Sequence, residues 1–175
     1  MVVMTSLKLC WKNNMNIFHL DKDPKICAEY HCDKHVVKMI LETAQMLSTA
    51  YQKHCGDDNN LYKSAYPKHP MTIWVGESVE NFNYAHLLGK ELGKQYTKRY
   101  GKIHKSSNII NAFNNGRLQN IEDRFPSQYF TRPPLCMPDE YKCDDYIQSY
   151  RNYYIGDKKR FAKYTNISTP KFMCI

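Results

Sequence analysis

The chain has 175 residues, 42% of them hydrophobic, and only seven glycines, which suits one globular domain and excludes a disordered or fibrous chain. Its 25 lysines and arginines against 17 acids give a formal charge of +8; this points to an anionic partner, nucleic acid first, and 14 tyrosines supply faces on which unpaired bases stack. No apolar run approaches the ~20 residues of a membrane span, and seven scattered cysteines without a C-x-x-C pair read as reduced thiols of an intracellular protein.

Residues 1–14 read as an appendage with no small-residue cleavage site for secretion, and Met15 is an alternative initiator. Met15-Asn16-Ile17-Phe18-His19-Leu20 reads as a short strand or extended segment. Asp23-Pro24 is a strong helix start, because Asp caps free amides and Pro fits the first turn. A helical pattern then runs to about His54, with Ile26, Tyr30, Val37, Ile40, Leu41, Ala44, Leu47 and Tyr51 as its apolar side and a break near residues 31–34. Residues 66–76, with two prolines and an exposed Trp74, read as a loop. A second helix runs from the Ser78 cap to about Tyr100, burying Phe82, Ala85, Leu88 or Leu92, and Tyr96. Ser106 or Ser107 caps a short helix ending before Gly116. Residues 117–138 read as a long irregular loop, and a last helix starts at Asp144 or Asp145 and stops or kinks at Gly156. The fold expected is mainly α: a compact single domain of about four helices over residues 15–165 with a long irregular loop, and a C-terminal tail at 166–175.

Opposite the apolar side of the first helix, Cys27, His31, His35, Lys38, Glu42, Gln45 and Thr49 fall within about 40° of one line. Such a stripe is a solvated face, a set of metal ligands at Cys27, His31 and His35, or the wall of an active site. In the last case His35 and Glu42 form an acid–base pair and Lys38 a desolvated amine nucleophile. Asp33 projects onto the apolar side, where a carboxylate requires a partner such as Lys34 or Arg99, or else a break in the helix. The catalytic candidates are therefore His31, Asp33, Lys34, His35, Lys38 and Glu42, with no cofactor and no metal expected. Basic and aromatic residues interleave around the second helix (His69, Trp74, Arg99, Lys102, His104) and in the last one (Tyr150, Arg151, Tyr154, Lys158). Both sets suit a phosphate backbone and stacked bases. No Gly-rich phosphate loop, nucleophile elbow or dinucleotide fingerprint occurs.

Residues 15–20, Cys32-Asp33-Lys34-His35-Val36-Val37-Lys38-Met39, His69-Pro70 with Trp74, Arg99-Tyr100-Gly101-Lys102 with His104, and Met137-Pro138-Asp139-Glu140-Tyr141 resemble small proteins of tailed phages and large DNA viruses. Ala28-Glu29-Tyr30 and the aromatic, glycine-containing stretch from Tyr150 to Lys158 are similar to pyrimidine-dimer DNA glycosylases of the endonuclease V type. That likeness implies a compact, basic, helical protein acting on DNA inside an infected host cell, in cytoplasm or nucleus. Those enzymes cleave the glycosidic bond with an N-terminal threonine amine and a glutamate two residues after the tripeptide. This chain has Cys32 at the glutamate position, and Val2, or Asn16 after initiation at Met15, at the amine. No catalytic residue is carried over. The function expected is a DNA-processing enzyme, a glycosylase/lyase or nuclease with a basic DNA groove. A non-catalytic nucleic-acid-binding protein and an enzyme on a small phosphorylated substrate are the alternatives, and the oligomeric state is open.

Overall fold

The computed structural model describes residues 15–174, so the appendage at 1–14 and Cys10 lie outside it. The described chain is helical, with no strand. The helices are α1 (Pro24–Tyr30), α2 (Asp33–Cys55), α3 (Pro70–Val75), α4 (Val79–Tyr100), α5 (Ser107–Asn111), α6 (Asn115–Arg124) and α7 (Tyr146–Tyr153), followed by a π turn at Tyr154–Lys158.

The capping residues act as the sequence implies. Asp23 accepts from the amides of Lys25 and Ile26, Ser78 from Asn81, and Asp145 from Ile147 and Gln148. Gly101, at φ 66°, ends α4 in the left-handed conformation that favours glycine. The expected break in the first helix falls at His31 and Cys32, both with extended backbone. Its cause is tertiary. The Arg99 guanidinium, reaching over from α4, donates to the carbonyls of His31 (2.7 Å) and Glu29 (3.2 Å), and the Asp33 amide donates to Lys163 O at 2.8 Å. Backbone groups freed by the break are thus satisfied elsewhere.

α2 and α4 form the central pair, with α1 also packed on α4. A Cβ on Gly89 would lie 2.9 Å from Ile110 Cδ1 and 3.1 Å from Thr43 Cγ2, so glycine is what lets α2, α4 and α5 meet there. On its other side α2 is covered by residues 15–20, which are extended and largely buried, and by α7 and the turn after it.

This double cover corrects the assignment of faces. Cys27, His31, His35, Glu42 and Thr49 are buried, whereas Val37 and Leu41 are 39% and 41% exposed. A helix covered on two sides buries its polar stripe as well, so periodicity located the buried faces incompletely. Three further expectations change. Residues 70–75 form a helix, opened by His69 as N-cap, and Trp74 is buried in it. Residues 115–124 are helical, so the irregular segment begins only after Arg124. Cys136 is disulfide-bonded, while Cys27, Cys32, Cys55, Cys143 and Cys174 are free.

Candidate active site

Residues 15–20 run alongside α2, and their hydrogen bonds define the site. The Asn16 amide donates to Glu42 Oε2 at 3.0 Å. Asn16 Nδ2 donates to Cys136 O at 2.9 Å, and Asn16 Oδ1 accepts from the Tyr150 hydroxyl at 3.2 Å. The Asn16 backbone is therefore fixed from both sides. One turn before Glu42 on α2, Lys38 Nζ lies 3.1 Å from Glu42 Oε1. The lysine side chain is 45% exposed and the glutamate side chain 8%, so the pair reaches the surface through the lysine while the carboxyl is buried. Burial pushes the Glu42 carboxyl up to about 7. The Lys38 charge and the Asn16 amide oppose that rise but do not cancel it, because the ammonium is half in water, where its field is screened.

His35, one turn earlier on α2, lines the same side. Its Nδ1 is 2.6 Å from the Tyr154 hydroxyl, and Phe18 stacks on its ring with centroids 4.5 Å apart. The Cys32 amide donates to the Tyr154 oxygen at 3.4 Å. The hydroxyl proton is therefore assigned to His35 Nδ1, which leaves the histidine proton on Nε2. Burial first, then the charges of His31, Lys158 and Lys38, hold His35 down to about 2. The ring is neutral at any working pH.

Further cations lie on the side of His35. Lys158 donates to the Tyr153 hydroxyl at 3.0 Å and pairs with Asp157 at 2.7 Å, and its Nζ stands 5.9 Å from the Phe18 ring centroid. Lys34 and Arg160 both flank Phe161, at 5.0 and 5.2 Å from its centroid, and Phe161 meets His35 edge-on. Lys34, Lys38, Lys158 and Arg160 thus gather on the side of His35 and Phe161, with Asp157 paired to Lys158 and Arg160.

Not every expected residue joins the site. His31 is fully buried, its Nδ1 donating to Cys27 O at 2.7 Å; burial holds it down to about 4. It faces the core, and a metal set with Cys27 and His35 does not form; among the described residues no group of three His, Cys, Asp or Glu is placed to hold a metal ion. Asp33 pairs with the buried Arg99 at 3.1 Å and accepts from Thr165 N and Oγ1. Its carboxylate is used structurally.

Among the expected DNA contacts, His69, Trp74, Arg99, Tyr150 and Tyr154 are buried. Trp74 donates from Nε1 to Thr131 O at 3.0 Å, His69 Nδ1 caps α3, and Tyr150 donates to Pro134 O at 2.8 Å. Such side chains hold the fold together and present no face to a base. Arg151 is half-buried, bonded to Leu20 O and Asp21 and placed against the touching rings of Tyr30 and Phe172. Lys102 is exposed, and His104, half-buried, accepts from the Ser106 amide. Sequence reasoning missed Asn16 and Phe18. The buried character of 15–20 could have been read from its lack of any charged residue; Arg160 and Phe161 belong to the basic run that begins at Lys158 and was expected to meet nucleic acid.

A family described as pyrimidine dimer DNA glycosylase matches residues 15–106. The matched span is more than half the chain and includes Asn16, His35, Lys38 and Glu42, but not Lys158, Arg160 or Phe161. No curated protein and no solved structure matches the chain.

Proposed function

We infer that this chain, which belongs to the pyrimidine dimer DNA glycosylase family, excises damaged pyrimidines from DNA with Lys38 as amine and Glu42 as the group that handles protons. The observation carrying this reading is the Glu42 carboxyl, buried, pushed up to about 7, and 3.1 Å from a half-exposed amine. A general acid–base works best when its pKa lies near the working pH. Proton exchange inside the pair turns ammonium and carboxylate into neutral amine and carboxylic acid, and a raised carboxyl makes that exchange cheaper.

The Lys38 nitrogen attacks C1′ of the damaged nucleotide. The glycosidic C–N bond breaks, its electron pair leaves with the base, and the base takes up the proton that Nζ sheds. Glu42 then gives its proton to O4′ as the sugar ring opens, which leaves an iminium between Nζ and C1′. As a carboxylate again, Glu42 takes a C2′ proton; the C3′–O bond breaks, its electron pair departs with the phosphate, and the strand is nicked. Water hydrolyses the iminium and frees Lys38. Lys34, Lys158 and Arg160 hold the flanking phosphates, and Phe161 offers a face to an unstacked base.

Borohydride added during turnover of a duplex carrying a cyclobutane pyrimidine dimer should give a covalent adduct that maps to Lys38. Lys38→Ala should lose it. Glu42→Gln should lower the single-turnover rate ~100-fold or more with unchanged DNA affinity. Wild-type rates in both variants would remove the pair from the mechanism, and binding without excision by the parent would leave a binding protein. An adduct at an α-amine of Asn16, in a chain initiated at Met15 and trimmed, would move the nucleophile to the nitrogen 3.0 Å from Glu42 and keep the role of Glu42.

A further inference from the structure

A second basic surface lies on α4, sharing no residue with the Lys38–Glu42 pair. A groove of about 530 Å³ runs between α4 and α5, floored by Gly89 and Gly93, walled by Lys90, Lys94 and Lys98, and edged by Ile103, which is 77% exposed. No carboxylate lines it, although Glu91 pairs with Lys94 from the neighbouring turn. Lys98 also belongs to a second hollow of about 570 Å³, lined by Lys171 and Thr169 and by one acid, Glu29. The two hollows therefore meet at Lys98 and carry four lysines in one track.

We propose that this α4 track binds the sugar-phosphate backbone of duplex DNA away from the lesion. Three facts support a backbone. Lysines four residues apart rise about 6 Å along a helix, so they meet an extended row of charges and not a single compact anion. Their long stems are flexible point-charge contacts of the kind that neutralise phosphates without reading sequence. No carboxylate lines the groove between α4 and α5, so its walls present positive charge. The inference rests on DNA being the substrate, but it assigns no role in bond cleavage to any of these residues.

The test is binding of undamaged duplex as a function of salt, with Lys90→Gln/Lys98→Gln compared with the parent and with Lys90→Arg/Lys98→Arg. Both positions are exposed, and circular dichroism checks folding. The slope of log affinity against log salt should shrink by about 1.8 in the Gln variant, two phosphate contacts at about 0.9 each, and return in the Arg variant. On dimer-containing DNA the Gln variant should show a raised KM and an unchanged kcat. An unchanged slope beside intact excision by the parent overturns the track alone. A reduced slope in a protein whose parent does not excise overturns the glycosylase reading and supports the track. Loss of self-association with an unchanged slope would give the groove to a second copy of the chain, and overturns the proposal.

Discussion

Glu42→Gln should make the protein more stable at alkaline pH while removing its activity. The argument is one of linkage. The Glu42 carboxyl stands at 4.5 in an unperturbed chain and at about 7 in the fold, chiefly through burial. A folded value raised above the unfolded one means that folding favours the protonated form. Stability is then complete below 4.5 and is lost as pH rises through 7. At pH 8.5 the carboxylate therefore costs the fold about 3 kcal/mol, at roughly 1.4 kcal/mol per pH unit; at pH 5 it costs less than about 1 kcal/mol. Glutamine mimics the neutral acid in size, and its carbonyl can still accept from the Asn16 amide. What it loses is the pair with Lys38, which is half-exposed and worth about 0–1 kcal/mol. The gain at pH 8.5 should thus approach 2–3 kcal/mol, or about 4–12 °C in Tm for a chain of this size, and should vanish near pH 5. Chemical denaturation of both proteins at the two pH values measures it. An equal difference at both, or a Gln variant that is less stable at pH 8.5, would show that the pair with Lys38 outweighs burial, and would refute the reasoning that makes Glu42 a proton donor near neutrality.

Asp33→Ala should destabilise the protein by about 3–5 kcal/mol, since it leaves the buried Arg99 uncompensated; denaturant unfolding reads this, and the rate per folded molecule should be unchanged. Trp74→Ala should cost about 3–5 kcal/mol by emptying the site among His19, Tyr84 and Phe130, whereas a stacking platform for DNA would lose affinity with little change in Tm. The imidazole NMR shifts of His19, His31 and His35, held down to about 3, 4 and 2, should stay flat between pH 5 and 8. Because these folded values lie below the unfolded 6.5, the stability they carry is complete above 6.5 and is lost as pH falls, so acid unfolding should set in before the carboxylates protonate; a titration midpoint near 6.5 for any of the three would contradict its burial.

The helical class and the caps at Asp23, Ser78 and Asp145 could be read from sequence, because each depends on residues within a turn or two of one another; the break near His31 was expected from the carboxylate of Asp33 on the apolar side, but the groups that hold it, Arg99 and Lys163, come from far along the chain. The reactive cluster of Lys38 and Glu42 was legible for the same reason: their spacing alone puts them side by side on a helix. Which faces of α2 are buried was not legible, since that depends on cover from two sides, by α4 and by residues 15–20, and helical periodicity registers only one apolar stripe. Hence Val37 and Leu41 were assigned inward and the polar stripe outward. Trp74, Arg99, Tyr150 and Tyr154 carry the residue types of a DNA surface, yet each is buried against a specific carbonyl, carboxylate or imidazole supplied from far along the chain. Tertiary structure alone decided the partner of Glu42. The Asn16 amide lies 26 residues away in sequence, and it is the burial under residues 15–20, against the opposing effect of that amide, that raises Glu42 to a carboxyl that titrates near neutral pH.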